Sequence, residues 1–205
     1  LWSVSTGKLI HTLNEHESWV WSLAFTPDGQ QLATASFDGT VQLWDTKTGE
    51  QLHTLKGHKR WVWSVVFSPD GQKLATASFD GTAQIWDTKT GQQLHILTGH
   101  ENWISSVVFS PDSQKLGTAS FDKTVRLWNA NTGQQLHTLR GHENGVRSVV
   151  FSPNGQQLAT ASDDKTVRLW DTKVGQQLQT LKGHERWVSR LVFSPNIKQF
   201  VTSSG

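Results

Sequence analysis

The chain has 205 residues, 35% of them hydrophobic, with 19 basic against 17 acidic side chains. A formal charge of +2 lacks the concentrated basic stripe of a dedicated nucleic-acid binder, and the absence of cysteine removes disulfides and thiolate metal sites. No apolar run approaches the length of a membrane span and no secretory leader is evident, so the expected address is cytoplasmic, away from membranes.

Trp2, Trp44, Trp86, Trp128 and Trp170 stand 42 residues apart, and Pro27, Pro69, Pro111, Pro153 and Pro195 keep the same step. So do His16, His58, His100, His142 and His184. A fixed period of this length marks a repeat architecture, in which each unit buries its apolar face only against its neighbours. Full units run over 17–58, 59–100, 101–142 and 143–184. Residues 1–16 read as the end of a third strand plus a fourth, and 185–205 as the first two strands of a last unit. The chain lacks methionine, opens at the equivalent of Leu43-Trp44 and closes at that of Phe37. It therefore reads as a piece of a longer array, or a cut and permuted one.

Within the unit 59–100, the segment Trp61–Ser68 is rich in β-branched and aromatic residues and ends at the turn Pro69-Asp70-Gly71. Lys73–Ser78 alternates apolar and small residues and stops at Asp80-Gly81, a tight hairpin signal. Thr82–Asp87 is a third strand, closed by Thr88-Lys89-Thr90-Gly91, and Gln93–Leu97 a fourth. Four short strands joined by tight turns predict one antiparallel sheet, and radial repetition of such sheets gives an all-β propeller.

Gly57-His58, Ser68-Pro69-Asp70-Gly71, Ser78-Phe79-Asp80-Gly81 and Trp86-Asp87 together resemble the WD40 repeat family, and the resemblance extends over essentially the whole chain. The likeness is strongest to the amplified arrays of bacterial and fungal multidomain signalling proteins. It implies a β-propeller of four-stranded antiparallel blades, with strands a to d running outward from the axis. The d–a and b–c connections then share the top face. It also implies a blade-locking hydrogen-bond network of His16, Ser36, Asp38 and Trp44 in the first unit and His58, Ser78, Asp80 and Trp86 in the second. The third has His100, Ser120, Asp122 and Trp128, and the fourth His142, Ser162, Asp164 and Trp170. The last keeps His184 and Ser204, with Trp2 able to complete it only across a closed ring. Glu15 stands where the other units have glycine before the histidine, which makes the first d–a turn the least regular.

A histidine, a serine and an aspartate together invite a hydrolase reading, but the set recurs in every complete unit. A repeated buried network accounts for it, and triads are recognised by geometry rather than composition. No catalytic residue, metal site or cofactor is expected. The remaining histidines, His11, His53, His95 and His137, fall one per unit on the outer strand. There they are expected to be exposed and too far apart to share a coordination shell.

The surplus aromatics are the informative residues. Between Val62 and Val65 the inward spacing is three, then two to Phe67, as a β-bulge produces. Trp61 and Trp63 flank that bulge at the top. Unit by unit the top positions read Trp19, Trp21, Phe37; Trp61, Trp63, Phe79; Trp103, Ser105, Phe121; Gly145, Arg147, Asp163; and Trp187, Ser189, Gly205. Bottom turns scarcely change. Aromatic residues with arginines beside them (Arg60, Arg147, Arg186, Arg190) have the composition of a binding hot spot. The competing view is that the rings merely pack along the blade edges.

The expected function is a non-catalytic scaffold that binds a protein or peptide on the top face, using Trp19, Trp21, Phe37, Trp61, Trp63, Phe79, Trp103, Phe121, Arg147, Asp163 and Trp187. Carbohydrate or small-ligand recognition on repeated aromatic sites is the alternative. Nucleic acid is not expected, given the near-neutral charge. If the blades do not close, open edges at Leu9–Leu13 and 198–203 are expected to drive self-association.

Overall fold

The computed structural model describes residues 1–196 and 199–204. The first blade comprises Val20–Phe25, Gln31–Ser36, Thr40–Asp45 and Gln51–Lys56 (β1–β4), and the second Val62–Phe67, Lys73–Ser78, Ala83–Asp87 and Gln93–Leu97 (β5–β8). The third has Ile104–Phe109, Lys115–Ser120, Val125–Asn129 and Gln135–Leu139 (β9–β12). The fourth has Val146–Phe151, Gln157–Ser162, Val167–Asp171 and Gln177–Leu181 (β13–β16). Val188–Phe193 and Phe200–Ser204 (β17 and β18) begin the last. Each complete blade is a four-stranded antiparallel sheet in chain order, and β17–β18 is a two-stranded one. Lys198 and Gly205 lie outside the described residues.

Composition explains why the blades stack. The second strand of each complete blade is covered on both faces, and it carries small side chains there: Ala33, Ala35, Ala75, Ala77, Ala159 and Ala161 are wholly buried. Between successive sheets lie separate apolar layers. One joins Val41, Leu43 and Leu55 of the first blade to Val62, Val65, Leu74 and Trp86 of the second. Similar layers join the second to the third and the third to the fourth. Burying each Leu or Ile in such a layer contributes about 1.5–3 kcal/mol. Thin cores, one per blade junction, replace a single large one.

The inner strands pack β1 on β5, β5 on β9, β9 on β13 and β13 on β17. This fan does not close through Trp2. The N-terminal segment pairs Trp2 with Leu9 in an isolated bridge and docks on the first blade, where His11 donates from Nε2 to the Lys47 carbonyl at 3.0 Å. Trp2 is 68% exposed. The closed ring through which Trp2 would complete the network of His184 does not form: His184 bonds Thr202 at 2.9 Å, at the other end of the fan. Two apolar faces stay open, Val20, Leu23 and Phe25 at one end and Val192 and Val201 at the other. In the interior, the same repeat positions are what one blade presents to the next.

Candidate functional site

The turns fix the top face. In the second blade, His58 donates from Nδ1 to Asp80 Oδ2 at 3.0 Å, and its Nε2 meets Thr76 Oγ1 at 2.7 Å. The Trp86 indole N–H donates to the same Thr76 hydroxyl at 3.0 Å. An Nδ1–H directed at a carboxylate leaves Nε2 to accept, so the threonine O–H points at the imidazole while its lone pair takes the indole proton. Thr34, Thr118 and Thr160 repeat this hub with His16 and Trp44, His100 and Trp128, and His142 and Trp170. The first d–a turn conforms in spite of Glu15, with His16 at 2.8 Å from Asp38.

The serines named for this network do something else. Ser36, Ser78, Ser120 and Ser162 accept the backbone N–H of Asp38, Asp80, Asp122 and Asp164 at 3.0–3.1 Å. Ser78, Ser120 and Ser162 also donate to carbonyls of the preceding d–a turn. They tie the b–c hairpin to that turn and do not touch the tryptophan. Threonine and serine are two apart on one strand and so share a face, and only depth in the sheet separates their roles.

Burial alone would raise the carboxyl pKa of Asp80, Asp122 and Asp164. Hydrogen bonds from the histidine and from Thr82, Thr124 and Thr166 outweigh it and hold each well below the usual carboxylate range. A depressed folded-state pKa gives stability that is fully present above the unfolded value of about 3.9 and lost as pH falls towards the folded one. Thermal scans should therefore show these carboxylates contributing a flat term from pH 7 to about 4 and a falling one below. Asp122→Asn should shallow that acid limb; an unchanged limb would remove the aspartates from its origin.

The outer-strand histidines, expected to be exposed, are half-buried inter-blade latches. His53 donates from Nε2 to the Lys89 carbonyl at 3.0 Å, His95 to Asn131 at 2.8 Å and His137 to Lys173 at 3.1 Å. Each ring lies against the glycine that closes the next blade's c–d turn. A Cβ on Gly91 would sit 2.7 Å from His53 Cγ, and one on Gly133 2.8 Å from His95 Cγ. The glycine at φ +67 thus serves both the turn and the ring.

The eleven side chains expected to contact a partner, Trp19 to Trp187, join one array. The pairing of β5 with β6 skips Trp63 between Val62 and Ser64, so Trp63 is itself the bulged residue, as are Trp21, Ser105, Arg147 and Ser189 in their blades. A bulge turns the extra side chain out of the pleat. Trp21 and Trp63 stack across the blade boundary with centroids 4.3 Å apart, and Phe37 stacks on Trp61 at 4.6 Å. Phe79 stacks on Trp103 at 4.3 Å, and Trp103 on Phe121 at 4.0 Å. Trp19 leans on Phe37 at 6.2 Å. Such pairs contribute about 0.5–1.5 kcal/mol each beyond area burial. The rings therefore pack, but on one another at the surface: Trp19 remains 75% exposed, Trp61 46% and Trp187 47%.

The fourth blade departs by a concerted exchange. Gly145 stands in the place of Trp61 and Trp103, and a Cβ there would lie 2.7 Å from the Phe121 ring. Arg147 replaces Trp63, and its guanidinium lies 5.4 Å from the centroids of both Phe121 and Trp187. Asp163, in the place of Phe79, accepts from Arg147 Nη2 at 3.2 Å and from Nε. The cation so continues the array from the third blade to the fifth.

Matches to known proteins agree with this geometry. The family model for the WD domain, G-beta repeat, fits residues 7–45, 49–87, 91–129, 133–171 and 175–205. The chain belongs to the WD40 family. The family is generally non-catalytic, and WD40 proteins typically bind other proteins. Among curated WD40-like sequences, the chain is 49% identical over 43 residues to the periodic tryptophan protein 2 homolog of Schizosaccharomyces pombe, a match of 21% of this chain and 5% of that protein. It is 49% identical over 35 residues to the Lissencephaly-1 homolog of Caenorhabditis briggsae, covering 17% and 9%. Each match is about one repeat long and spans a small part of the relative.

Proposed function

We propose that this WD40 chain is a non-catalytic scaffold that holds a protein or peptide partner on its top face. The observation that supports this is the continuous aromatic array, which spans the blades and is half exposed. A core role would bury such rings and ask for similar residues in every blade, and the fourth blade lacks them. Rigid display is the mechanism: the hub and hairpin hydrogen bonds fix the turns, the turns fix the rings, and the rings desolvate a partner's side chains. Recognition of sugars on separate equivalent platforms is less well supported, because the rings stack into one surface.

The test is affinity capture with the chain and with its Trp19→Ala, Trp61→Ala, Trp103→Ala variant, matched by circular dichroism and light scattering. Partners identified with the first, lost with the second and rebinding as purified proteins are the expected result. Identical captures would return those rings to a packing role. The open apolar faces support a second expectation, that the 205-residue chain by itself associates with concentration. Sedimentation velocity checks it, and a single monomeric boundary across a hundredfold dilution range would refute it.

A further inference from the structure

Below the aromatic rim, the inner wall of the fan holds a bowl of about 420 Å³, within the range that takes one or two side chains of a ligand. Its upper lining is Trp21, Trp63, Trp103 and Phe121. Its lower lining is a row of hydroxyls, since Ser22, Ser64, Ser106 and Ser148 occupy one repeat position on successive inner strands. Ser22 is engaged as an acceptor of the Val65 N–H. Ser64, Ser106 and Ser148 make no side-chain hydrogen bond among the described residues, so three donors face the space.

Charge in the bowl is one-sided. Two arginines line it, and among the described residues no carboxylate does. Arg147 is already satisfied by Asp163 and braced between two rings. Arg190 is different: it stands where the other four blades carry serine, is exposed, and its side chain has neither a hydrogen bond nor an ion pair among the described residues. The top-face acids Glu17, Glu101, Glu143 and Glu185 belong to the d–a turns and do not line the space. A cationic ligand would find no counter-charge there, whereas a carboxylate finds a free guanidinium and hydroxyl donors.

We infer that the bowl takes an acidic, apolar peptide segment: a Glu or Asp carboxylate paired with Arg190 and the wall hydroxyls, its apolar or aromatic neighbour seated on Trp63, Trp103 and Phe121. This rests on the peptide-binding role proposed above and supplies the partner's chemistry. Arg190 sets the charge preference, and the rings supply the apolar contact.

The experiment pans a random heptapeptide display library on the immobilised chain, then on its Arg190→Ser and Arg190→Glu variants. Arg190→Ser installs the residue the other blades carry, so the fold is kept. Peptides selected by the unaltered chain should be enriched in Glu or Asp beside Leu, Phe or Trp. The best of them, synthesised, should bind Arg190→Ser roughly tenfold more weakly, while its Glu→Gln version binds both proteins alike. Arg190→Glu should turn the selection away from acids. Selected peptides that are neutral or basic, or an acidic preference unchanged by Arg190→Ser, would overturn this inference and leave the peptide-binding role standing. Selection of no peptide by the unaltered chain would overturn this inference together with the peptide half of the proposed role, the protein half being tested by the affinity capture.

Discussion

Thr118→Val is expected to lower stability by about 2–6 kcal/mol, the sum of two buried groups each left unpaired at about 1–3 kcal/mol. Valine keeps the shape of threonine, so packing is preserved and the loss is one of hydrogen bonding. Thr118 is wholly buried, Trp128 is 3% exposed, and the His100 side chain opposite is sealed from water. Without the hydroxyl, the Trp128 N–H has no acceptor and His100 Nε2 no donor. Ser120→Ala should cost only about 1 kcal/mol, because the N–H it releases lies in a hairpin nearer to solvent. Urea titration followed by tryptophan fluorescence compares the two. Amide exchange over Lys115–Ser120 then localises the change, since repeat arrays need not unfold as one unit. A serine variant as damaging as the threonine variant would move the hub back to Ser120.

Gly91→Ala should cost about 2–4 kcal/mol, combining a left-handed backbone with a Cβ pressed into the His53 ring. Gly29→Ala separates the two contributions. Gly29 has φ +71 but nothing within 4 Å of an added Cβ, so only the backbone cost of about 1–2 kcal/mol applies. Removing the ring isolates the steric part: in a His53→Ala background, Gly91→Ala should fall to the Gly29→Ala value. This double-mutant cycle reads the latch directly. Equal costs for Gly91→Ala with and without His53 would show that the two blades are not joined there.

Much of this was legible because the period fixed which residues are equivalent. The strand limits Lys73–Ser78 and Gln93–Leu97 follow from local alternation and turn residues alone, and the spacing of Val62, Val65 and Phe67 foretold the bulge. The family resemblance implied Ser78, whereas Thr76, two residues away on the same face of the strand, meets the histidine and the indole. The latches were missed for another reason. His53 and Lys89 are 36 residues apart in different units, and each histidine looked like a polar residue on an outer strand. Gly145 exposed a further limit. In the sequence it is only the first of three top positions that differ from the other units, whereas it is the space that Phe121 occupies, and only the pairing of Arg147 with Asp163 makes the exchange intelligible.

The bulged residue stands outside the ladder: neighbours on either side keep their partners whichever side chain it bears. Trp21, Trp63, Ser105, Arg147 and Ser189 are thus five letters written on an indifferent backbone. Because the strand register is the same for all five, exchange of a whole blade would carry its letter and leave the ladder intact, with only the rim neighbours to refit. Such exchange would respell the rim in a single event, so that this fold separates what must stay the same from what is free to be rewritten.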